Sequence, residues 1–172
     1  MILSREFVLK NRRSFTSTWD ELDYLYVKVL RWFYGSPPNR AKARVFADRL
    51  ENLLDRMKPE PMAIKVEECR AIVCEVKGDL IGAIHHRCRE IDFLKTLFSL
   101  PEYPKLAMVG DHSDLVDRLI LLAILYKNIG SFRQAIDCLE EAKVVAKRKR
   151  FRFPAKDLLS DLRWNSAAVQ KS

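Results

Sequence analysis

The stretch from Leu119 to Lys147 constrains the fold of this 172-residue chain more than any other part of its sequence. Apolar residues recur in it at intervals of three and four, on both sides of a short break at residues 128–131. Such spacing places them along one face of an α-helix. Gly130 stands where the first helix must stop, and glycine adopts the left-handed conformation used there at little cost. The stretch therefore predicts two amphipathic helices folded back on each other.

The spacing of small and aromatic residues in this stretch is also specific. It reads L-x-x-L-A-x-x-Y-x-x-x-G-x-F-x-x-A-I-x-x-L-x-x-A and resembles the tetratricopeptide repeat (TPR), a helix–turn–helix unit of about 34 residues. The resemblance implies antiparallel helical hairpins that stack into an array, with the first helix of each pair lining a groove for a peptide or a partner helix. The positions that match the family's spacing are Leu122, Ala123, Tyr126, Gly130, Phe132, Ala135, Leu139 and Ala142.

A weaker copy of the pattern lies 52 residues earlier, the separation of Ala71 from Ala123. This offset exceeds the family's repeat length, and the excess fits the segment 99–114, which contains two prolines and is interpreted as a functional loop or a packing strap. The copy departs from the pattern at Arg87 and Glu90, which stand where the later unit has Leu139 and Ala142. Because charged groups are rarely buried unpaired, that face is expected to be partly open or to supply an ion pair. The matching residues of the copy are Ala71, Cys74, Gly78, Leu80, Ala83 and Ile84.

The whole chain is accordingly predicted to be all-α, a short TPR-like array of antiparallel hairpins with a C-terminal capping helix. The expected hairpins cover about 18–58, 62–100 and 114–150, and the capping helix covers about 154–168, all within one domain of residues 17–172. Residues 1–16 are interpreted as an N-terminal arm. Ser17 or Thr18 is expected to cap the first helix, while Asp111, Ser113 or Asp114 caps the fifth and Pro154 opens the seventh. A compact helical bundle is the alternative architecture.

Composition and motifs narrow the functional classes. With 48% hydrophobic residues the chain can build a core, and its four irregularly spaced cysteines favour reduced thiols over a disulfide scaffold. No signal peptide or membrane span is recognisable, so a cytoplasmic protein without membrane contact is expected. The sequence contains no glycine-rich phosphate loop, nucleophile elbow or His-Glu-x-x-His motif, which predicts a non-enzyme without cofactors. The spacing of His85, Cys88, Cys69 and Cys74 does not suit a zinc site, so no metal is expected.

The resemblance also implies which residues would line the groove. An apolar groove of mixed charge suits an amphipathic helix. A clamp for a terminal carboxylate is not expected, because Glu68 and Glu75 would repel it and isoleucines occupy the comparable positions of the later unit. The alternative is that Ile120 and Ile124 pack against the first hairpin and that no groove is open. The residues at groove-lining spacing are Lys65, Glu68, Ile72 and Glu75 in the earlier unit, and Asp117, Ile120, Ile124, Lys127 and Asn128 in the later one.

A dense run of cations, which we call the basic turn, follows the second helix of the later unit. Phe151 and Phe153 alternate with its last members, and no acidic residue interrupts it. Cations neutralise phosphates and exposed aromatic rings stack on unpaired bases, so the run is a candidate contact for nucleic acid or another acidic partner. The structural alternative is a helix end whose cations complement the helix dipole and whose phenylalanines anchor the last helix. The basic turn consists of Lys147, Arg148, Lys149, Arg150 and Arg152.

The sequence therefore predicts a protein–protein interaction adaptor that binds a peptide or an amphipathic helix of a partner protein. Homodimerisation is a further expectation, because short helical arrays complete their core by association. The alternative function is nucleic-acid binding through the basic turn. An open apolar groove would favour the first reading, whereas an exposed Phe151 or Phe153 beside the cations would favour the second.

Overall fold

The computed structural model describes residues 17–57, 63–99 and 112–169. The arm expected over 1–16 and most of the segment 99–114 lie outside these ranges. Within them the chain forms seven helices and no strand, which confirms the all-α prediction for the described residues. The helices are α1 (Thr18–Phe33), α2 (Arg40–Leu54), α3 (Ala63–Lys77), α4 (Leu80–Ser99), α5 (His112–Asn128), α6 (Phe132–Arg148) and α7 (Lys156–Val169).

The helix starts follow the capping rules in part. The Ser17 hydroxyl accepts a hydrogen bond from the Asp20 amide at 3.1 Å, so Ser17 caps α1 as predicted. For α5 the structure excludes two of the three expected caps, and the expectation for α7 is wrong. Helix α5 already begins at His112, which puts Ser113 and Asp114 inside its first turn, and Asp111 lies outside the described residues. Helix α7 begins at Lys156, so Pro154 precedes the helix instead of occupying its first turn.

Three helices end in the same type of turn. After α3 and α5 a glycine adopts positive φ, +83° at Gly78 and +79° at Gly130. In each turn the glycine amide donates to the carbonyl three residues back and the next amide donates to the carbonyl five residues back, which is the Schellman pattern. After α6 the same two bonds form, but the left-handed position is occupied by Arg150 with φ of 62°. Two of the three turns therefore use the residue that this conformation favours, and the third does not.

The helices pack in the order of the sequence. Each one contacts the next, and α1 also touches α3. Two apolar clusters result, one built by α1, α2 and α3 around Leu25, Leu50 and Ile72, the other built by α4 to α7 around Leu119 and Leu139. The described helices include none that is both long enough and apolar enough to cross a membrane. All four cysteines are free thiols.

Candidate functional surfaces

A chain of ion pairs fills the interior where α3, α4 and α5 meet. The Glu90 carboxylate is completely buried and accepts hydrogen bonds from Arg87 Nη1 at 2.6 Å and from Arg118 Nε at 2.5 Å. Arg87 is itself buried. Two guanidinium groups therefore meet the Glu90 carboxylate and offset part of the cost of burying it, although burial still outweighs them and raises the pKa of Glu90. Of the two alternatives that the sequence left for Arg87 and Glu90, the ion pair is the correct one.

The chain of contacts continues from Arg118 towards α1. Arg118 Nη2 donates to Glu68 Oε1 at 2.5 Å, and the same carboxylate accepts from the Tyr26 hydroxyl and from Lys65 Nζ, the latter at 3.1 Å. Lys65 also lies 3.8 Å above the Tyr26 ring, in a cation–π contact, and 3.6 Å from Asp23. Glu68 thus connects α1, α3 and α5 through one buried carboxylate.

The other end of the chain of contacts also reaches the end of α1. Arg87 Nη2 donates to Glu75 Oε1 at 3.2 Å, and the Tyr34 hydroxyl donates to Glu75 Oε2 at 2.5 Å. We refer to the connected set as the polar network. It consists of Tyr26, Tyr34, Glu68, Glu75, Arg87, Glu90 and Arg118.

A third buried carboxylate lies beside the polar network. Glu67 is 5% exposed and meets His86 Nδ1 at 2.7 Å and Arg89 Nη2 at 3.2 Å. Helix α4 therefore provides Arg89 for the buried Glu67 of α3, and Arg87 for the partly buried Glu75 of α3 as well as for its own Glu90.

Burial and neighbouring charges shift the ionisation of the polar network. Burial alone would raise the pKa of Glu68, but Arg118 and Lys65, together with the hydrogen bond from Tyr26, outweigh it and lower this pKa. Burial raises the pKa of Tyr26, and the adjacent Glu68 raises it further. The pKa of Tyr34 is raised in the same way by burial and by Glu75. Near neutral pH the two phenols therefore stay protonated and donate to carboxylates.

The groove residues expected on α3 take part in interior contacts. Glu68 belongs to the polar network, and Ile72 is 1% exposed within the apolar cluster of α1 to α3. Glu75 pairs with Arg87, while Lys65 is partly exposed above Tyr26. An open surface at Glu68 or Ile72 is therefore absent, because α1 and α5 contact Glu68 and α1 and α2 pack over Ile72.

The residues expected on α5 lie differently. Asp117, Ile124, Lys127 and Asn128 are exposed and Ile120 is partly exposed. These five residues, the α5 stripe, follow the helical spacing of one face, away from the buried Leu119 and Leu122. Ile120 also packs in part against the apolar cluster of α4 to α7. Neither Asp117 nor Lys127 forms an ion pair with a described residue. The two halves of the predicted groove thus differ, and its role in partner binding remains a prediction for the α5 stripe alone.

The cations of the basic turn are all exposed, and none of them pairs with an acid in the described ranges. Phe153 is 6% exposed and belongs to the apolar cluster of α4 to α7, and Phe151 is partly buried against the same cluster. The phenylalanines therefore anchor the segment between α6 and α7, as the structural alternative expected. Neither ring is exposed, so the feature that would have favoured the nucleic-acid interpretation is missing.

Sequence reasoning missed Glu67, Arg118 and Tyr26 as buried or partly buried polar residues, and it missed the exposed Tyr34 as a donor to Glu75. One signal for Glu67 was available, since it stands 52 residues before the buried Leu119. A charged residue at an apolar position of a repeat predicts a buried partner, in this case His86 and Arg89. The roles of Arg118 and Tyr26 depend on contacts 50 and 42 residues away along the chain, for which no local pattern exists.

Within the described ranges no cluster of three or more His, Cys, Asp or Glu side chains is arranged to hold a metal ion. Comparisons of the chain with protein-family models, with curated proteins and with solved structures found no match. The α5 stripe and the basic turn are the two sequence-predicted surfaces that the structure leaves exposed.

Proposed function

We propose that this chain is a TPR-like adaptor, in which antiparallel helical hairpins stack as a short array capped by α7. Three features support the arrangement. The pairs α3–α4 and α5–α6 are joined by matching glycine turns, each helix contacts its sequence neighbour, and Tyr26, Glu68 and Arg118 connect the first helices of three successive pairs. Sequential packing of this kind is typical of repeat proteins, whose repeats contact only their neighbours.

The observation that carries the adaptor function is the exposure of the α5 stripe. Ile124 is 38% exposed, whereas Ile72, which stands 52 residues earlier, is buried by α1 and α2. The exposed Ile124 and the partly exposed Ile120 form an apolar centre. Asp117 and Lys127 provide a polar rim at its two ends. Such a composition is characteristic of surfaces that receive a protein partner.

The charges at the two ends of the α5 stripe define the partner. Asp117 and Lys127 are separated by about 15 Å along the helix axis. A short amphipathic helix that places apolar residues against Ile120 and Ile124 would therefore carry a basic residue opposite Asp117 and an acidic residue opposite Lys127. We propose that this helix comes from another protein.

Selection from a displayed peptide library tests this proposal. The full chain is used as bait for random peptides of about 14 residues, long enough to span the α5 stripe as a helix. The expected result is a family of sequences with apolar residues at i and i+3 or i+4, flanked by a base at one end and an acid at the other. Their affinity, measured by fluorescence anisotropy, should fall about tenfold or more in an Ile124→Glu variant, since the central apolar contact is lost.

The matched control is Ile81→Glu, which introduces the same charge at an isoleucine of α4 that is 67% exposed. Peptides that bind through the α5 stripe should bind this control with unchanged affinity. Failure to enrich any peptide family, or equal loss of affinity in both variants, would contradict the adaptor proposal. A dimer in sedimentation equilibrium that dissociates in the Ile124→Glu variant would identify a second copy of the chain as the occupant instead.

A further inference from the structure

The basic turn concentrates positive charge that no acid among the described residues compensates with an ion pair. The formal net charge of the chain is +8, and the five cations of the turn account for more than half of it. The nearest acids on α6 are already engaged, since Glu140 pairs with Arg163 and Lys143 and Glu141 pairs with Lys95 at 2.6 Å. The turn is therefore free to meet an external anion.

The backbone at Arg150 is a second observation, independent of the charge. At the two comparable turns the left-handed residue is a glycine, but here it is an arginine with φ of 62°. A side chain at this position costs about 1–2 kcal/mol relative to glycine. A residue held in an unfavourable conformation points to a role other than stability, and the feature that arginine adds here is an exposed charge between four others.

The neighbouring phenylalanines limit what the turn can bind. Phe153 is buried and Phe151 packs against the same cluster, so no exposed ring lies within the run to stack on unpaired bases or to insert into a lipid surface. What remains is a set of exposed guanidinium and ammonium groups around one helix end. Three of the five are arginines, whose planar donors match phosphate oxygens in a bidentate manner.

We propose that the basic turn binds the phosphate backbone of double-stranded nucleic acid without reading its sequence. A duplex carries about one charge per 1.7 Å of its axis, and each phosphate neutralised by a cation releases counterions. Several cations can therefore act together on a duplex, whereas a single exposed ion pair with an acidic peptide contributes about 0–1 kcal/mol. This inference uses residues outside the α5 stripe and holds whether or not the adaptor proposal does.

Fluorescence anisotropy of a labelled duplex DNA of about 20 base pairs, titrated with the full chain across a salt series, is the test. With about four phosphate contacts the affinity should fall about 100-fold between 50 and 200 mM salt. The variant Arg148→Gln/Lys149→Gln/Arg152→Gln should bind at least tenfold more weakly at 50 mM salt, and the slope of log K against log salt should decrease by about 2 to 3.

The matched control removes three exposed arginines elsewhere, as Arg40→Gln/Arg44→Gln/Arg133→Gln, none of which pairs with a described acid. It should retain most of the affinity and the full salt dependence. Arg150→Gly provides a second check, because it relieves the left-handed strain while it removes one cation. This variant should unfold at a higher urea concentration than the parent and yet bind the duplex more weakly.

Several results would overturn the proposal. One is the absence of binding at 50 mM salt, and another is an equal loss in the two triple variants, which would indicate diffuse charge instead of the basic turn. Tighter binding of single-stranded DNA than of the duplex would contradict the proposal that the ligand is double-stranded. Binding of a labelled poly-glutamate peptide at least as tight as that of the duplex would identify an acidic protein segment as the partner.

Discussion

The helix pairs α3–α4 and α5–α6 share their turns but differ in their interiors. In α5–α6 the interior positions are occupied by Leu119, Leu139 and Ala142, all of which are buried. The residues 52 positions earlier are Glu67, Arg87 and Glu90, which are equally buried and are compensated by ion pairs. One helix–turn–helix pattern can therefore be filled with either hydrocarbon or paired charge, provided that every charge meets a partner.

The difference has a consequence for stability. In an apolar interior, truncating a side chain lowers the free energy of unfolding in proportion to the apolar area removed. In a charged interior, the loss depends on whether each remaining charge keeps its partners. Removing one member of an ion pair from α3–α4 leaves the other member buried without its full set of partners. Removing both members of the pair leaves no such charge behind.

The largest effect is expected for Arg87→Leu, which places the residue of α6 at its matching position in α4. This change removes a cation from Glu90 and Glu75, and it should lower the free energy of unfolding by about 3–5 kcal/mol. In the double variant Arg87→Leu/Glu90→Ala, Arg118 keeps Glu68 and Glu75 keeps Tyr34, so the loss should be less than half of that. Urea unfolding of both variants and of Glu90→Ala completes the double-mutant cycle. A double variant as unstable as the single one would show that the interior of α3–α4 does not depend on paired charge.

A smaller and equal effect is expected at the two glycine turns. Gly78→Ala and Gly130→Ala each place a side chain in a left-handed conformation, with no atom within 4 Å of the added Cβ to cause a clash. Each should therefore lower the free energy of unfolding by about 1 kcal/mol. Equal losses of unfolding free energy, measured with urea, would support equivalent turns and place the difference between the two helix pairs in their interiors. A difference of more than about 1 kcal/mol would mean that the turns are not equivalent.

The smallest effect concerns alkaline pH. Burial raises the pKa values of Tyr26 and Tyr34, and burial also raises the pKa of Tyr126 in the α5–α6 half, to about 12. Tyrosines of the unfolded chain titrate near pH ~10, so above that pH the folded protein binds more protons than the unfolded chain. The stabilisation from these phenols is therefore complete below pH ~10 and is lost as the pH rises through the folded pKa values.

Urea midpoints measured from pH ~8 to pH ~11 test this sign. The variant Tyr26→Phe/Tyr34→Phe should lose less stability over this range than the parent. Tyr126→Phe, which leaves the polar network intact, should reduce the alkaline loss by a smaller amount. The same alkaline loss of stability in all three proteins would mean that the pKa values of the Tyr26 and Tyr34 phenols are not raised in the folded protein.

Much of the helical architecture could be predicted from the sequence, because a helix and its turn are determined by local spacing. The residues around Gly130 and Gly78 indicated both turns, and Ser17 was recognisable as a candidate N-cap of α1. The polar network could not be predicted in detail. Arg118 meets Glu90 and Glu68 across 28 and 50 residues of chain, and nothing near Arg118 in the sequence identifies either partner.

The candidate surfaces were likewise predictable only where local sequence determines them. The basic turn was recognisable because its cations are consecutive, but the burial of Phe153 depends on the cluster formed by four helices. On the predicted groove, Ile72 and Ile124 have identical side chains at matching positions. Only the packing of α1 and α2 decides that one is buried and the other exposed.

The position of Glu68 has a consequence for how the molecule assembles. Its carboxylate receives a phenol from α1 and a guanidinium from α5, elements separated by most of the described chain. Without α1 or α5, the Glu68 carboxylate would lose one of its hydrogen-bond donors while the remaining helices still shield part of it from water, which is energetically unfavourable. Truncated forms are thus penalised. Contacts between helices that are distant in the sequence therefore contribute to the stability of the whole, which favours cooperative folding.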